Sequence, residues 1–228
     1  LRPRRFGKSL WCRILECYYN INQRDQFDEL FGHTYIGQHP TPLHNTFFVL
    51  HLDFSTVDPT GSLENIAQSF NTICNLRMDT MAYLSQTGFQ GTIRLEMTGQ
   101  AAANLEQILN RIQKQQLPAL YVIIDEYDNF ANQLITAHKD HLYRQVTADD
   151  SFLKTFFKIL KEGRKTGAIA NVFITGVLPI AMDDLDDVRA FLGYETINVY
   201  GGSYGTRAGL VYLRQHGERV RAIVLDGV

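Results

Sequence analysis

Three short apolar runs decide most of what this chain can become. Thr46 to Leu52 ends at Asp53, Leu120 to Ile124 ends in Asp125-Glu126-Tyr127-Asp128, and Asn171 to Val177 carries Thr175 near its end. Each run is nearly continuous rather than alternating, so each reads as a strand buried on both faces. Between them lie segments of helical spacing. One covers about 62 to 86, with Ser62 as N-cap and Gly88 just past its end; another covers 101 to 115 and is closed by Leu117-Pro118. A third is capped by Asp150-Ser151 and lines up Phe152, Leu153, Phe156, Phe157 and Leu160 in one stripe, with Gly163 and Gly167 as its stop signals. Buried strands separated by helices imply a three-layer, open, mostly parallel α/β sheet. Functional groups in such sheets gather at the carboxyl ends of the strands.

A phosphate-binding pattern stands ahead of these runs. Phe6-Gly7-Lys8-Ser9 opens a helix with apolar positions Leu10, Ile14, Leu15 and Tyr18, which fades over Asn20 to Asp25 before a loop at 33 to 45. A P-loop needs inward-pointing amides, a lysine for the terminal phosphates and a hydroxyl for Mg²⁺. All three are present, although the general spacing has a glycine where this chain has Arg2. Leu120 to Glu126 then follows in the expected order, an apolar strand running into two acids. Asp125 would hold Mg²⁺ and Glu126 would polarise the attacking water. Thr175 ends the next strand, where a hydroxyl either senses the γ-phosphate or simply caps the strand.

Leu-Arg-Pro-Arg-Arg-Phe-Gly-Lys-Ser at 1 to 9, Leu-Asp-Phe-Ser at 52 to 55, Ile-Ile-Asp-Glu-Tyr-Asp at 123 to 128 and Phe-Ile-Thr-Gly-Val at 173 to 177 resemble the predicted AAA-ATPase-like family of P-loop proteins. The resemblance covers about 1 to 185. In that family Arg-Pro-Arg-Arg replaces the first Walker glycine, so Arg2 conforms to the family pattern. The resemblance implies ATP and Mg²⁺ as cofactors. It places nucleotide on Arg5, Phe6, Gly7, Lys8 and Ser9, metal on Ser9 and Asp125, and catalysis on Glu126 with Thr175. The strand that ordinarily precedes a P-loop is not in the sequence, so the expected fold is of P-loop NTPase type lacking its first strand.

Residues 186 to 228 differ in texture and read as a β-α-β unit that could extend the same sheet. Gly201-Gly202-Ser203-Tyr204-Gly205 lies between a strand at Thr196 to Tyr200 and a helix at Arg207 to His216, the context of a nucleophile elbow. With Val224-Leu225-Asp226-Gly227 it resembles the elbow region of α/β-hydrolases of the proline-iminopeptidase and tripeptidyl-aminopeptidase kind. Ser203 is therefore an alternative nucleophile. Its chemistry needs an acid and then a histidine on later strands. His216 lies on the helix leaving the elbow, and Asp226 comes too early for the acid. The two resemblances meet at Met182 to Val188, which suggests a chimera.

Composition narrows the partners. Lys plus Arg is 22 against 24 Asp plus Glu, a net charge of -2, which argues against a general nucleic-acid or anionic-membrane binder. Three cysteines in a chain of 228 residues read as reduced thiols of an intracellular protein, cytoplasmic or nuclear. No apolar run has the length of a membrane span. Cys12 and Cys17 do not share a helix face. His138 and His141 are spaced to share one but lack a third ligand. Three functions follow: an ATP-binding, ATP-hydrolysing domain at 1 to 185, a serine hydrolase through Ser203, or a non-catalytic remnant that docks a second copy or another protein.

Overall fold

The computed structural model describes residues 7–88, 96–176, 186, 189, 190, 192–202 and 204–226. Helix α1 (Lys8–Tyr19) opens the chain, followed by a 3₁₀ segment and the short helices α2 (Phe27–Phe31) and α3 (Tyr35–Gln38). Tyr18, Phe27 and Phe31 bury one another there, with Tyr18 edge-on to Phe31. Strand β1 (Phe48–Asp53) leads into the long helix α4 (Leu63–Gly88), then come α5 (Ala101–Lys114) and β2 (Leu120–Asp125). Helices α6 (Asn129–Thr136), α7 (Asp140–Thr147) and α8 (Phe152–Lys165) precede β3 (Ile169–Ile174). The chain ends in β4 (Ile197–Gly202), α9 (Tyr204–His216) and β5 (Val220–Asp226).

Strands β1, β2 and β3 form a parallel sheet in that order. The central strand β2 is buried at every position, as the continuous apolar run requires. Alternation of side chains across the sheet sorts the core into two clusters. Phe48, Leu50, Leu52, Leu120, Val122 and Ile124 face Phe70 of α4, Leu105 of α5 and Phe156 of α8. Val49, Tyr121 and Ile123 face the other way, onto Cys12, Leu15 and Tyr19 of α1. Full burial of each aliphatic side chain contributes about 1.5–3 kcal/mol, so this sandwich of sheet and helices fixes where the strand ends lie. Among the described residues β3 has a sheet neighbour on the β2 side alone.

The expected N-caps hold, and two stops change, the first being Gly88, which is the last residue of α4 instead of lying past its end. Ser62 Oγ accepts from Asn65 N at 3.3 Å, and Ser151 Oγ accepts from Lys154 N at 3.1 Å. Gly163 does not end α8: it lies inside the helix, where an added Cβ would sit 2.6 Å from Ile169 Cδ1 and 2.8 Å from Leu109 Cδ1. Glycine is there so that α8 can press against β3 and α5. The stop is Gly167, in the left-handed region at φ 77°. Residues 129–147, with no strong pattern of their own, form α6 and α7.

The C-terminal strands do not extend the main sheet. β4 and β5 pair with each other in a separate two-stranded parallel sheet, and α9 crosses between them. Gly209 of α9 lets Leu225 Cδ2 and Ile223 Cδ1 come within 2.9 and 3.3 Å of where its Cβ would be. This close helix-on-sheet contact closes the unit on itself. It meets the main sheet through side chains instead: Tyr194 hydroxyl donates to Asn171 Oδ1 at 3.3 Å, and the Arg164 guanidinium lies 5.3 Å from the Tyr194 ring centre.

Candidate functional site

The N-terminus of α1 and the carboxyl ends of β1, β2 and β3 converge at one edge of the sheet. Gly7 is the N-cap of α1 at φ 77°, a left-handed conformation in which a side chain would be strained. Its carbonyl accepts from Trp11 N at 2.8 Å, closing the first turn. The next two side chains reach the end of β2. Lys8 Nζ pairs with Glu126 Oε1 at 2.9 Å, the two side chains being 7% and 17% exposed. Ser9 Oγ donates to Asp125 Oδ2 at 2.8 Å.

Asp125 is 1% exposed, and its Oδ1 has no hydrogen-bond partner. A buried carboxylate oxygen left unpaired costs about 1–3 kcal/mol or more, so it marks a position built for something other than packing. Glu126 follows at φ 53°, an uncommon backbone state for a residue with a side chain. The chain turns there into α6, with Asn129 N donating to Glu126 O at 3.0 Å. Thr175 lies alongside: its N donates to Ile124 O at 2.8 Å and its O accepts from Tyr127 N at 3.0 Å. The next residue, Gly176, has the Asp128 carboxylate where a Cβ would stand. Of the residues singled out from the sequence, Gly7, Lys8, Ser9, Asp125, Glu126 and Thr175 thus share one strand-end cluster. Arg5, Phe6 and Ser203 lie outside the described residues.

A second group borders this cluster, and the sequence reading did not reach it. Asp53 ends β1 in register with Asp125. Two residues earlier, on the same face of the strand, His51 directs Nδ1 to Glu16 Oε2 at 2.9 Å, and Arg13 holds the same oxygen at 2.8 Å. Burial works to raise the Glu16 pKa, but the hydrogen bonds from His51 and Arg13 outweigh it and hold the carboxyl below its usual range. Cys12, one turn before Glu16 on α1, is fully buried. Burial, then the nearby acids Asp125, Asp53 and Glu16, push its thiol up to about 12. Cys12 Sγ, a ring nitrogen of His51 and a carboxylate oxygen of Asp125 all lie within 4.8 Å of one another. A cavity of about 410 Å³ opens beside them, lined by Ser9, Glu16, His51, Asp53, Arg77 and Asp125 among others. The available signal was the spacing of Ser9, Cys12 and Glu16 on one face of α1, opposite odd-numbered positions of β1.

The other histidines give less. His138 sits at φ 55° before α7, and His141 is inside it, so the two do not share a helix; both are exposed. In the C-terminal unit, the β4–β5 register sets Gly202 opposite Asp226, whose Oδ2 accepts from the Tyr200 hydroxyl at 3.0 Å. His216 stands in the last turn of α9, its ring tilted against that of Tyr212 with centres 5.0 Å apart. At the helical rise, that places it ~18 Å along the axis from Tyr204. The acid lies at the elbow end of this unit, and the histidine at the other. The dominant polar feature near that other end is Asp186, 6% exposed, which takes hydrogen bonds from Arg189 Nε at 2.7 Å, from the Tyr212 hydroxyl at 2.9 Å and from Arg219.

Comparison with known proteins divides the chain in the same way. Residues 1–186 match a family model described as predicted AAA-ATPase, and residues 179–228 match one described as alpha/beta hydrolase fold. A 44-residue stretch is 50% identical to the serine protease Hip1 of Mycobacterium tuberculosis (strain ATCC 25618 / H37Rv) and of Mycobacterium bovis. It is 19% of this chain and 8% of each of those relatives, so the chain spans less than a tenth of their length. No solved structure matches. Among the described residues no helix is long and apolar enough to cross a membrane.

Proposed function

This chain belongs to the predicted AAA-ATPase family, and from that premise we propose that residues 1 to 185 form a three-layer P-loop domain that binds and hydrolyses ATP. The observation that carries the reading is the junction of α1 with β2: a lysine on one acid, and a serine on the next acid, whose second oxygen is buried and unpaired. The first turn of α1 offers its free amides and positive dipole end to the phosphates, and Arg5 and Phe6 are the residues that precede it in sequence. Lys8 exchanges Glu126 for the terminal phosphates. Ser9 and Asp125 are the residues that would hold Mg²⁺, and the unpaired Oδ1 gives an oxygen ligand without breaking the Ser9 bond. Held there, the ion would supply positive charge to offset that of the phosphates. Glu126, released from Lys8, orients a water and accepts its proton. Thr175 stands beside it at the end of the third strand.

Calorimetric titration with Mg²⁺·ATP tests this on the wild type and on Lys8→Ala. The expected result is saturable binding that weakens about 100-fold or more in the variant, since a lysine–phosphate contact in a dry site is worth about 3 kcal/mol. Equal, weak heats for both proteins overturn the reading. In a phosphate-release assay Glu126→Gln should lose turnover.

The match to the hydrolase fold supports a second reading, in which Ser203 is a nucleophile. Covalent labelling by a fluorophosphonate probe tests it. This reading expects labelling of the wild type above that of Ser203→Ala, and no labelling disposes of it. The free state of Cys12, Cys17 and Cys74 fits a reducing, intracellular compartment.

A further inference from the structure

We propose that Cys12, His51 and Asp125 form a binding site for a soft divalent cation of the Zn²⁺ kind, beside the nucleotide site. The donor set is one thiol, one imidazole and one carboxylate, which is the ligand chemistry zinc selects. Two of the three donors carry atoms that the fold leaves unused. His51 Nε2 and Asp125 Oδ1 are both shut off from solvent and both lack a hydrogen-bond partner. An unpaired buried acceptor calls for an occupant, and here two of them belong to residues whose ligand atoms lie within 4.8 Å of the Cys12 sulfur.

The state of the histidine strengthens this. His51 Nδ1 is engaged by Glu16, itself held by Arg13. With its proton on Nδ1 toward the carboxylate, the ring keeps the Nε2 lone pair for a metal, and a ring nitrogen lies within 4.8 Å of Cys12 Sγ and of an Asp125 carboxylate oxygen. This is the carboxylate–histidine–metal relay by which metal sites fix the tautomer and orientation of an imidazole ligand. Nothing in the packing of α1 on β1 requires it, because a neutral apolar pair would serve the interior better.

Distance and access agree. The three donor atoms lie within 4.8 Å of one another, whereas a four-coordinate zinc site spaces its ligand atoms ~3.3–3.8 Å apart. A gap of ~1 Å is within the reach of side-chain rotation. His51 and Asp125 line the cavity of about 410 Å³, so a cation has a route in, and a water completes the fourth position. On binding, the Cys12 thiol gives its proton to solvent and its sulfur lone pair to the metal. The same carboxylate is assigned to Mg²⁺ in the nucleotide reading. A soft cation here therefore also draws Asp125 away from that role, a consequence that rests on the nucleotide reading whereas the site itself does not.

Cobalt titration of the metal-stripped, reduced full chain, without nucleotide, tests the site. One equivalent of Co²⁺ should give a thiolate-to-metal charge-transfer band and the intense visible absorption of four-coordinate cobalt, and one equivalent of Zn²⁺ should erase both. Cys12→Ser should abolish the charge-transfer band, His51→Ala should weaken binding at least tenfold, and Cys17→Ser should change neither. Absence of the band in the wild type, or its persistence in Cys12→Ser, overturns the proposal. If Cys12→Ser fails to fold, Glu16→Gln decides. It keeps all three ligands but loosens the imidazole, and should weaken Co²⁺ about tenfold; unchanged affinity overturns the assignment. Because no nucleotide is present, failure here leaves the ATP reading standing, and failure of ATP binding leaves the cobalt result interpretable.

Discussion

The two parallel sheets of this molecule use the same local grammar and reach opposite ends. In both, a glycine-containing turn or strand end leads into a helix, and a strand of a parallel sheet then carries an acid at its end. In the β1–β3 unit, the charged groups converge on the strand ends: Lys8 meets Glu126, Ser9 meets Asp125, and Asp53 and Thr175 flank them. In the β4–β5 unit they disperse. Asp226 stands at the elbow end with Tyr200, while Asp186, Tyr212, Arg219 and His216 collect at the far end of α9. A motif becomes a site only when the surrounding fold delivers partners from other elements. The larger unit has α1 and three strands with which to do so, and the smaller has one crossover.

Stability should separate the units most sharply. Phe156 is fully buried in α8 and packs edge-on against Phe70 of α4 at 5.4 Å. Phe156→Ala removes a large side chain from the centre of the main core and should cost about 3–5 kcal/mol, read as a lowered urea midpoint. Amide exchange should then speed up throughout β1, β2 and β3. If β4 and β5 exchange faster by the same factor, the two sheets unfold as one and the contrast drawn above fails.

The converse substitution is Asp186→Asn. It removes a buried charge that holds Arg189, Tyr212 and Arg219 together. Breaking a well-buried pair costs about 3–5 kcal/mol. Arg219 is 38% exposed, so solvent screening lowers the expected loss to about 2 kcal/mol. The loss should be local, with exchange rising in α9, β4 and β5 while β2 stays protected. Protection lost equally in β2 would make Asp186 a keystone of the whole chain, which neither its contacts nor its position implies.

The uneven legibility of the two units follows from what each depends on. Lys8, Ser9, Asp125 and Glu126 could be read because short sequence spacings encode them: a turn into a helix, and an apolar run into acids. The strand ends and the caps at Ser62 and Ser151 were legible for the same reason. His51 was not, since a single polar residue inside an apolar run looks like an interruption until the register shows that it faces α1. Gly163 has the same letter as a helix stop, and only the 2.6 Å approach of Ile169 reveals it as a packing glycine. Whether β4 and β5 join the main sheet is a matter of tertiary pairing, about which local pattern says nothing. The direct Lys8–Glu126 pair was hidden too, because the motif assigns each residue to a ligand and not to the other.

That pair yields the smallest and most diagnostic effect. In the structure Lys8 is held by Glu126 at 2.9 Å, so a phosphate must take the lysine from an acid before it can use it. The pair is mostly shielded from solvent, and separating it costs about 1 kcal/mol net once the phosphate replaces the carboxylate. That cost is charged against nucleotide affinity, as for any ligand whose competent state must first be populated. Glu126→Gln removes it and also removes a negative charge facing the phosphates. ADP, which sidesteps turnover, should therefore bind Glu126→Gln about fivefold more tightly than the wild type by calorimetry, whereas Lys8→Ala should bind it more weakly than the wild type. The same measurement with Asp226→Asn in the C-terminal unit should show no change, because no lysine is withheld there. If Glu126→Gln binds ADP no better than the wild type, the pair does not compete with nucleotide. The convergence of charge in the larger unit would then be scaffolding of the kind seen around Asp186.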